Sequence, residues 1–106
     1  MRKFHIALGV VSLSDSIADY TQRLGAQPQV MVPGEYALWR TEALNISIRQ
    51  VPARDVPGLR HLGWEESAVS SFTETRDCNG ILWEEFSAEQ QLKEILALWP
   101  EAEVRE

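Results

Sequence analysis

KFHIALGVVSLSDSIADYTQRLG, residues 3–25, decides how this chain folds. Its first eight residues are apolar or small apart from Lys3 and His5, which suits one buried strand. Side chains of a strand alternate faces, so His5 shares a face with Ala7 and Gly9 while Phe4, Ile6 and Leu8 take the other. That second face, apolar throughout, is the expected core face. The period then changes. Leu13, Ile17, Tyr20 and Leu24 recur at helical spacing and form one apolar stripe. Ser12 or Ser14 caps this helix, because a short side-chain oxygen accepts from the free amides of the first turn. Gly25 ends it as a residue able to take positive φ.

Outward from this unit, QPQVMV (27–32), YALWRTE (36–42) and ALNISIRQV (43–51) are three strand candidates, with the turn PGE (33–35) between the first two. The order so far is βαβββ. In ALNISIRQV, Leu44, Ile46 and Ile48 take one face and Asn45, Ser47 and Arg49 the other, which predicts a core beneath the sheet and a polar cup above it. PARDVPG (52–58) is a loop. LRHLGWE (59–65) follows as a strand in which His61 and Gly63 oppose Leu62 and Trp64. AVSSFTETRD, CNG and ILWEEFS (68–87) read as a hairpin, with Asn79 and Gly80 supplying the turn and Glu84 opposing Ile81, Trp83 and Glu85. Ser87 opens SAEQQLKEILALW (87–99) as a helix with Gln90 completing a capping box. Leu92, Ile95, Leu96 and Trp99 form its expected apolar side, Pro100 stops it, and EAEVRE adds a short edge strand or frays.

The chain has 106 residues, 44% of them hydrophobic, with four tryptophans and scattered charge, so one globular domain spans it. A formal charge of −6, without any run of Lys or Arg, argues against nucleic acid or an anionic membrane as partner. His5 and the early helix cap interrupt any export signal in MRKFHIALGVVSL, and the single Cys78 suits a reducing compartment. The expected location is cytoplasmic. Tryptophans 39, 64, 83 and 99 are expected to anchor the core on the helix-facing side. Glu65 and Glu66 read as a solvated strand end.

Strand parity puts His5, His61 and Glu84 on one concave face if their strands are neighbours. Two imidazoles and a carboxylate hold a divalent ion with open positions left for substrate, and these ligands accept Mn, Fe, Co, Ni or Zn. Arg40 and Arg49 on the cup side suit a carboxylate or phosphate of a ligand through their fork geometry, with Ser47 beside them, and a surface salt bridge is the other role open to each. Tyr36 and Trp39 lie on opposite faces of one strand, so at most one lines the cup.

These segments resemble the vicinal oxygen chelate superfamily, which groups glyoxalase I, fosfomycin- and bleomycin-resistance proteins, extradiol dioxygenases and methylmalonyl-CoA epimerase. KFHIALGV and LRHLGWE match the first strands of its modules, which bring ligating histidines at His5 and His61. RDCNGILWEE matches its last strand, a turn followed by a ligating glutamate at Glu84, with Cys78 where proline is usual. The resemblance implies an α+β fold: a βαβββ module over residues 1–51, then a shortened, rearranged second module over 59–106, forming a cup-shaped mixed sheet with helices on the outer face. It implies small-molecule recognition and a homodimer, with His5 from one subunit meeting His61 and Glu84 of the other; one continuous sheet carrying all three is the alternative. Glyoxalase-type members carry a fourth ligand, a glutamate, on the strand that here offers Asn45, Ser47 and Arg49, so a three-ligand site is the expectation. The expected function is that of a divalent-metal lyase, isomerase or dioxygenase acting on a small oxygen-chelating substrate. The competing readings are a metal-free binding or resistance protein of the same fold, and an interaction module that uses its acidic surface and C-terminal helix.

Overall fold

The computed structural model describes residues 2–55 and 58–105; Val56 and Pro57 of the expected loop lie outside the described residues. Strand β1 (Arg2–Val10) is followed by helix α1 (Leu13–Leu24) and strands β2 (Val30–Val32), β3 (Tyr36–Arg40) and β4 (Leu44–Gln50). Then come β5 (Gly58–Glu66), β6 (Thr73–Arg76), β7 (Leu82–Phe86), helix α2 (Ala88–Leu98) and β8 (Glu103–Val104). All eight strands join one mixed sheet in the order β6-β7-β5-β1-β4-β3-β2-β8. The fold is therefore α+β. β1 lies in the middle, parallel to β4 and antiparallel to β5, and β7 returns parallel to β5.

Local chemistry explains the elements. Ser12 caps α1 by accepting from the Asp15 amide, and Gly25 closes it at φ 68°. Ser87 and Gln90 form the reciprocal capping box of α2. The β6–β7 hairpin is tied by Asp77, whose Oδ1 accepts from the Asn79 and Ile81 amides at 2.8 and 3.0 Å and whose Oδ2 accepts from the Trp83 indole at 2.9 Å. Those bonds to the charged form hold the Asp77 carboxyl below its usual range. Between β1 and β5 the register runs from Ala7↔His61 to Leu8↔Leu59, leaving Arg60 as the extra residue of a β-bulge.

The helices cover opposite faces. Helix α1 packs Leu13, Ile17, Tyr20 and Leu24 over Ala37, Trp39 and Ile48, the face that the alternation predicts as core. Helix α2 lies on the histidine face, where Ile95, Leu92 and Trp99 meet Val30, Val32, Tyr36 and Leu38. This corrects the expectation of helices on the outer face alone. β2 and β3 present apolar residues on the cup side as well, and the stripe of α2 finds its burial there. In consequence His5, Ala7 and Gly9 are more buried than Phe4, Ile6 and Leu8. The expected stripe of α2 is also rotated, with Gln91 buried and Leu96 exposed. Of the tryptophans, Trp39 is fully buried under α1, whereas Trp64 and Trp83 are half-buried around Phe4, with ring centroids 5.3 and 6.2 Å from it. Trp99 belongs to the end of α2 and stacks on Tyr36.

One glycine sets how closely β5 approaches β7. Gly63 pairs with Glu84, and a Cβ there runs into the Glu84 carbonyl oxygen. Backbone cannot swing aside as a side-chain tip can. Gly63→Ala is therefore expected to lower the unfolding free energy by about 1–3 kcal/mol, as for overpacking in a core. Urea unfolding checks this, and an unchanged midpoint would refute the close approach.

Candidate metal centre

Three adjacent strands bring the expected cluster together. His5 is on β1, His61 on β5 beside it and Glu84 on β7 beyond, and each presents one ligand atom within 4.8 Å of the others. All three lie on one continuous sheet within a single chain. His5 is 2% exposed, and the side chains of His61 and Glu84 are 12% and 14% exposed, so the cluster is buried yet reached from one side.

The tautomer of His5 follows from its neighbours. Its Nδ1 lies 3.1 Å from the Asn45 backbone oxygen and 2.9 Å from Asn45 Oδ1. The Asn45 amide is itself oriented, because its Nδ2 donates to Glu65 Oε1 at 2.8 Å and to Gln91 Oε1 at 2.7 Å. Two acceptors thus face His5 Nδ1, which carries the proton and leaves the Nε2 lone pair aimed at His61. Burial, and next the neighbouring His61, pull the His5 pKa below 6.5 against the Asn45 hydrogen bonds, so the ring is neutral at pH 7. His61 Nε2 stands 2.9 Å from His5 Nε2 and 3.1 Å from Glu84 Oε1.

These separations suit a metal ion. Ligands bonded at about 2.1 Å and set at right angles are about 3.0 Å apart, against about 3.4 Å at a tetrahedral angle. The observed 2.9 and 3.1 Å fall at the right-angle value and are ordinary hydrogen-bond lengths as well, while all three donor atoms lie within 4.8 Å of one another. With the His5 proton on Nδ1, its Nε2 lone pair converges with His61 Nε2 and Glu84 Oε1 on one point. The donor set therefore fits a divalent cation, and the Nδ1–H to Asn45 bond is the kind of outer contact that orients a ligating imidazole.

Behind Asn45 the network continues. Arg40 donates to both oxygens of Glu65 at 2.8 and 2.6 Å. Burial pushes the Glu65 carboxyl up, but the hydrogen bonds from Arg40 and Asn45 together outweigh it and hold the pKa below 4.5. Glu65 is thus a buried bracing residue, not the solvated strand end expected of the Glu65–Glu66 pair. Arg40, expected to grip a ligand, is engaged by Glu65 and lies outside the cavity that the cluster opens into.

That cavity measures about 110 Å³. Ser47, Arg49 and Tyr36 line it, as the cup-side parity predicts, while Trp39 points to α1. Burial pushes the Tyr36 phenol up to about 12. Two charged lining residues escaped the sequence reading. Arg60 enters through the bulge, which no residue pattern announces; Glu94 stands three residues after Gln91 on α2, a spacing that was legible once the buried face of that helix was known. Burial, then Glu84 and Glu74, raise the Glu94 pKa above 4.5.

No family model and no curated protein matches this chain. Among solved structures, one titled the crystal structure of NAD-dependent benzaldehyde dehydrogenase from Legionella pneumophila superposes with a TM-score of 0.55 at 12% identity, over 79% of this chain and 97% of that one. A likeness at this identity shows the fold alone. It carries no site residue from that protein to this one.

The bracing network has a pH signature. Because the folded pKa of Glu65 lies below its ordinary 4.5, the stability it contributes is present above 4.5 and is lost as pH falls through the folded value. Glu65→Gln is expected to be less stable at pH 7 and to show a flatter decline below pH 4.5. Equal slopes in urea unfolding across a pH series would remove Glu65 from the account.

Proposed function

We propose that the chain is a divalent-metal enzyme of the vicinal oxygen chelate type, with His5, His61 and Glu84 as ligands and a small oxygen-chelating molecule as substrate. The observation that carries this reading is the convergence of two imidazole nitrogens and a carboxylate oxygen, with neighbouring separations of 2.9 and 3.1 Å, on one point of the cavity wall. The βαβββ run of residues 2–50 and the return of β5 beside β1 agree with such a module and a shortened second one. The bound ion would supply Lewis-acid polarisation of a chelating substrate, with positions left open by the three protein ligands. The chain's own part is to hold that substrate in a small cavity reached from one side. His5 is kept in one tautomer by Asn45, and Glu94 faces the same space as the carboxyl best placed to exchange a proton. Lyase, isomerase and dioxygenase chemistry all suit this outline.

A metal-free binding protein of the same fold is the second reading. It is favoured by the fact that α2 covers the histidine face and leaves only a small cavity, since the His61 proton shared with His5 and Glu84 would then be a structural bridge. The two readings part on one experiment. Protein supplied in turn with Mn, Fe, Co, Ni and Zn is expected to retain close to one ion per chain by elemental analysis. His61→Ala and Glu84→Ala should each lose it while their circular dichroism spectra stay native. Wild-type protein that retains none of the five ions would sink the metal reading.

A further inference from the structure

We propose that Arg49 and Arg60 form an anion subsite beside the His5, His61 and Glu84 cluster, and that the substrate therefore carries a carboxylate or phosphate in addition to the oxygens that chelate the metal. The substrate class rests on the metal reading above; the subsite does not. Both arginines line the cavity of the cluster, reaching it from β4 and β5, the two strands that flank β1. Arg49 is placed by regular alternation on the cup face, next to Ser47. Arg60 is placed by the β-bulge, whose extra residue re-aims a side chain without shifting His61 out of register.

Neither guanidinium is neutralised within the fold. Arg40, on the same face, lies 2.6 Å from Glu65, whereas neither Arg49 nor Arg60 has a carboxylate within 4.0 Å among the described residues. Glu84, which lines the same cavity, stands 3.1 Å from His61. The other acid of the wall, Glu94, is pushed toward its neutral form by burial. Arg49 lies over the Trp99 ring, 5.1 Å from its centroid, so one of its faces is covered by an aromatic that orients the fork without discharging it. Arg60 is exposed and Arg49 half-buried, and the two like charges border one cavity at the cost of mutual repulsion and, for Arg49, of partial burial. An anion bridging them relieves both costs, and guanidinium forks match carboxylate and phosphate oxygens two at a time. The cavity volume of about 110 Å³ restricts the occupant to a small molecule.

Titration calorimetry with three probes that share one chelating 2-hydroxycarboxylate head tests this. Lactate ends there, malate adds a carboxylate, and 3-phosphoglycerate adds a phosphate. Mn-supplied protein is expected to bind malate or 3-phosphoglycerate at least about tenfold tighter than lactate, and Arg49→Gln or Arg60→Gln should abolish the preference while manganese content and the melting curve hold. Whichever of the two dianions wins identifies the distal group. Inorganic phosphate titrated into metal-free protein separates the two proposals. If none of the five ions is retained yet both variants lose phosphate binding, the metal reading fails and the subsite stands. If manganese is retained and lactate binds as tightly as both dianions, or the variants keep the preference, the subsite is overturned; so is it if neither dianion nor phosphate binds at all.

Discussion

Asn45 is fully buried at the middle of the sheet, and most of what distinguishes this fold follows from satisfying it. A buried amide left unpaired costs more than a typical hydrogen bond contributes, so each of its groups needs a partner. The partners come from three other elements: His5 from β1, Glu65 from β5 and Gln91 from α2. None of these contacts is local in sequence. The amide thus ties the first strand, the second histidine strand and the last helix to one point, and Arg40 extends the tie to β3 through Glu65.

The two faces of the sheet divide the work. Helix α1 closes an apolar core over Ala37, Trp39 and Ile48, where packing is tolerant of small adjustments and no charge is trapped. Helix α2 closes a mixed face. At one end it is apolar, over Val30, Val32, Tyr36 and Leu38; at the other it meets Asn45 through Gln91 and leaves a cavity floored by His5 and His61. Burial there raises the stakes of every polar contact, since a low-dielectric wall strengthens satisfied pairs and penalises unsatisfied ones. Burial there keeps His5 neutral, and Arg49 and Arg60 border the same cavity with no carboxylate within 4.0 Å among the described residues.

Much of this was legible in the residues. The helical stripe of Leu13, Ile17, Tyr20 and Leu24, the capping box of Ser87 and Gln90 and the hairpin over CNG all have local causes, and each stands where its local chemistry places it. The cluster was legible for a similar reason. Strand parity is a local property, so His5, His61 and Glu84 were assigned to one face before the strand order was known. What parity cannot supply is which strands become neighbours, because that depends on pairings across dozens of residues. It also fails at a bulge, and Arg60 was lost there. The sequence places Glu65 at a solvated strand end and Arg40 either on a ligand or in a salt bridge, because nothing near either residue reveals that each is the other's partner.

The sequence by itself determined the elements, their order and the face on which His5, His61, Glu84 and Arg49 stand, because capping, periodicity and alternation act over a few residues. Tertiary structure alone decided that β5 and β7 lie beside β1 and that α2 lies on the histidine face. It decided also that His61 Nε2 comes to rest 2.9 Å from His5 Nε2. Those outcomes depend on burying the apolar side of α2 and pairing the Asn45 amide at the same time. Only the folded chain brings those partners within reach.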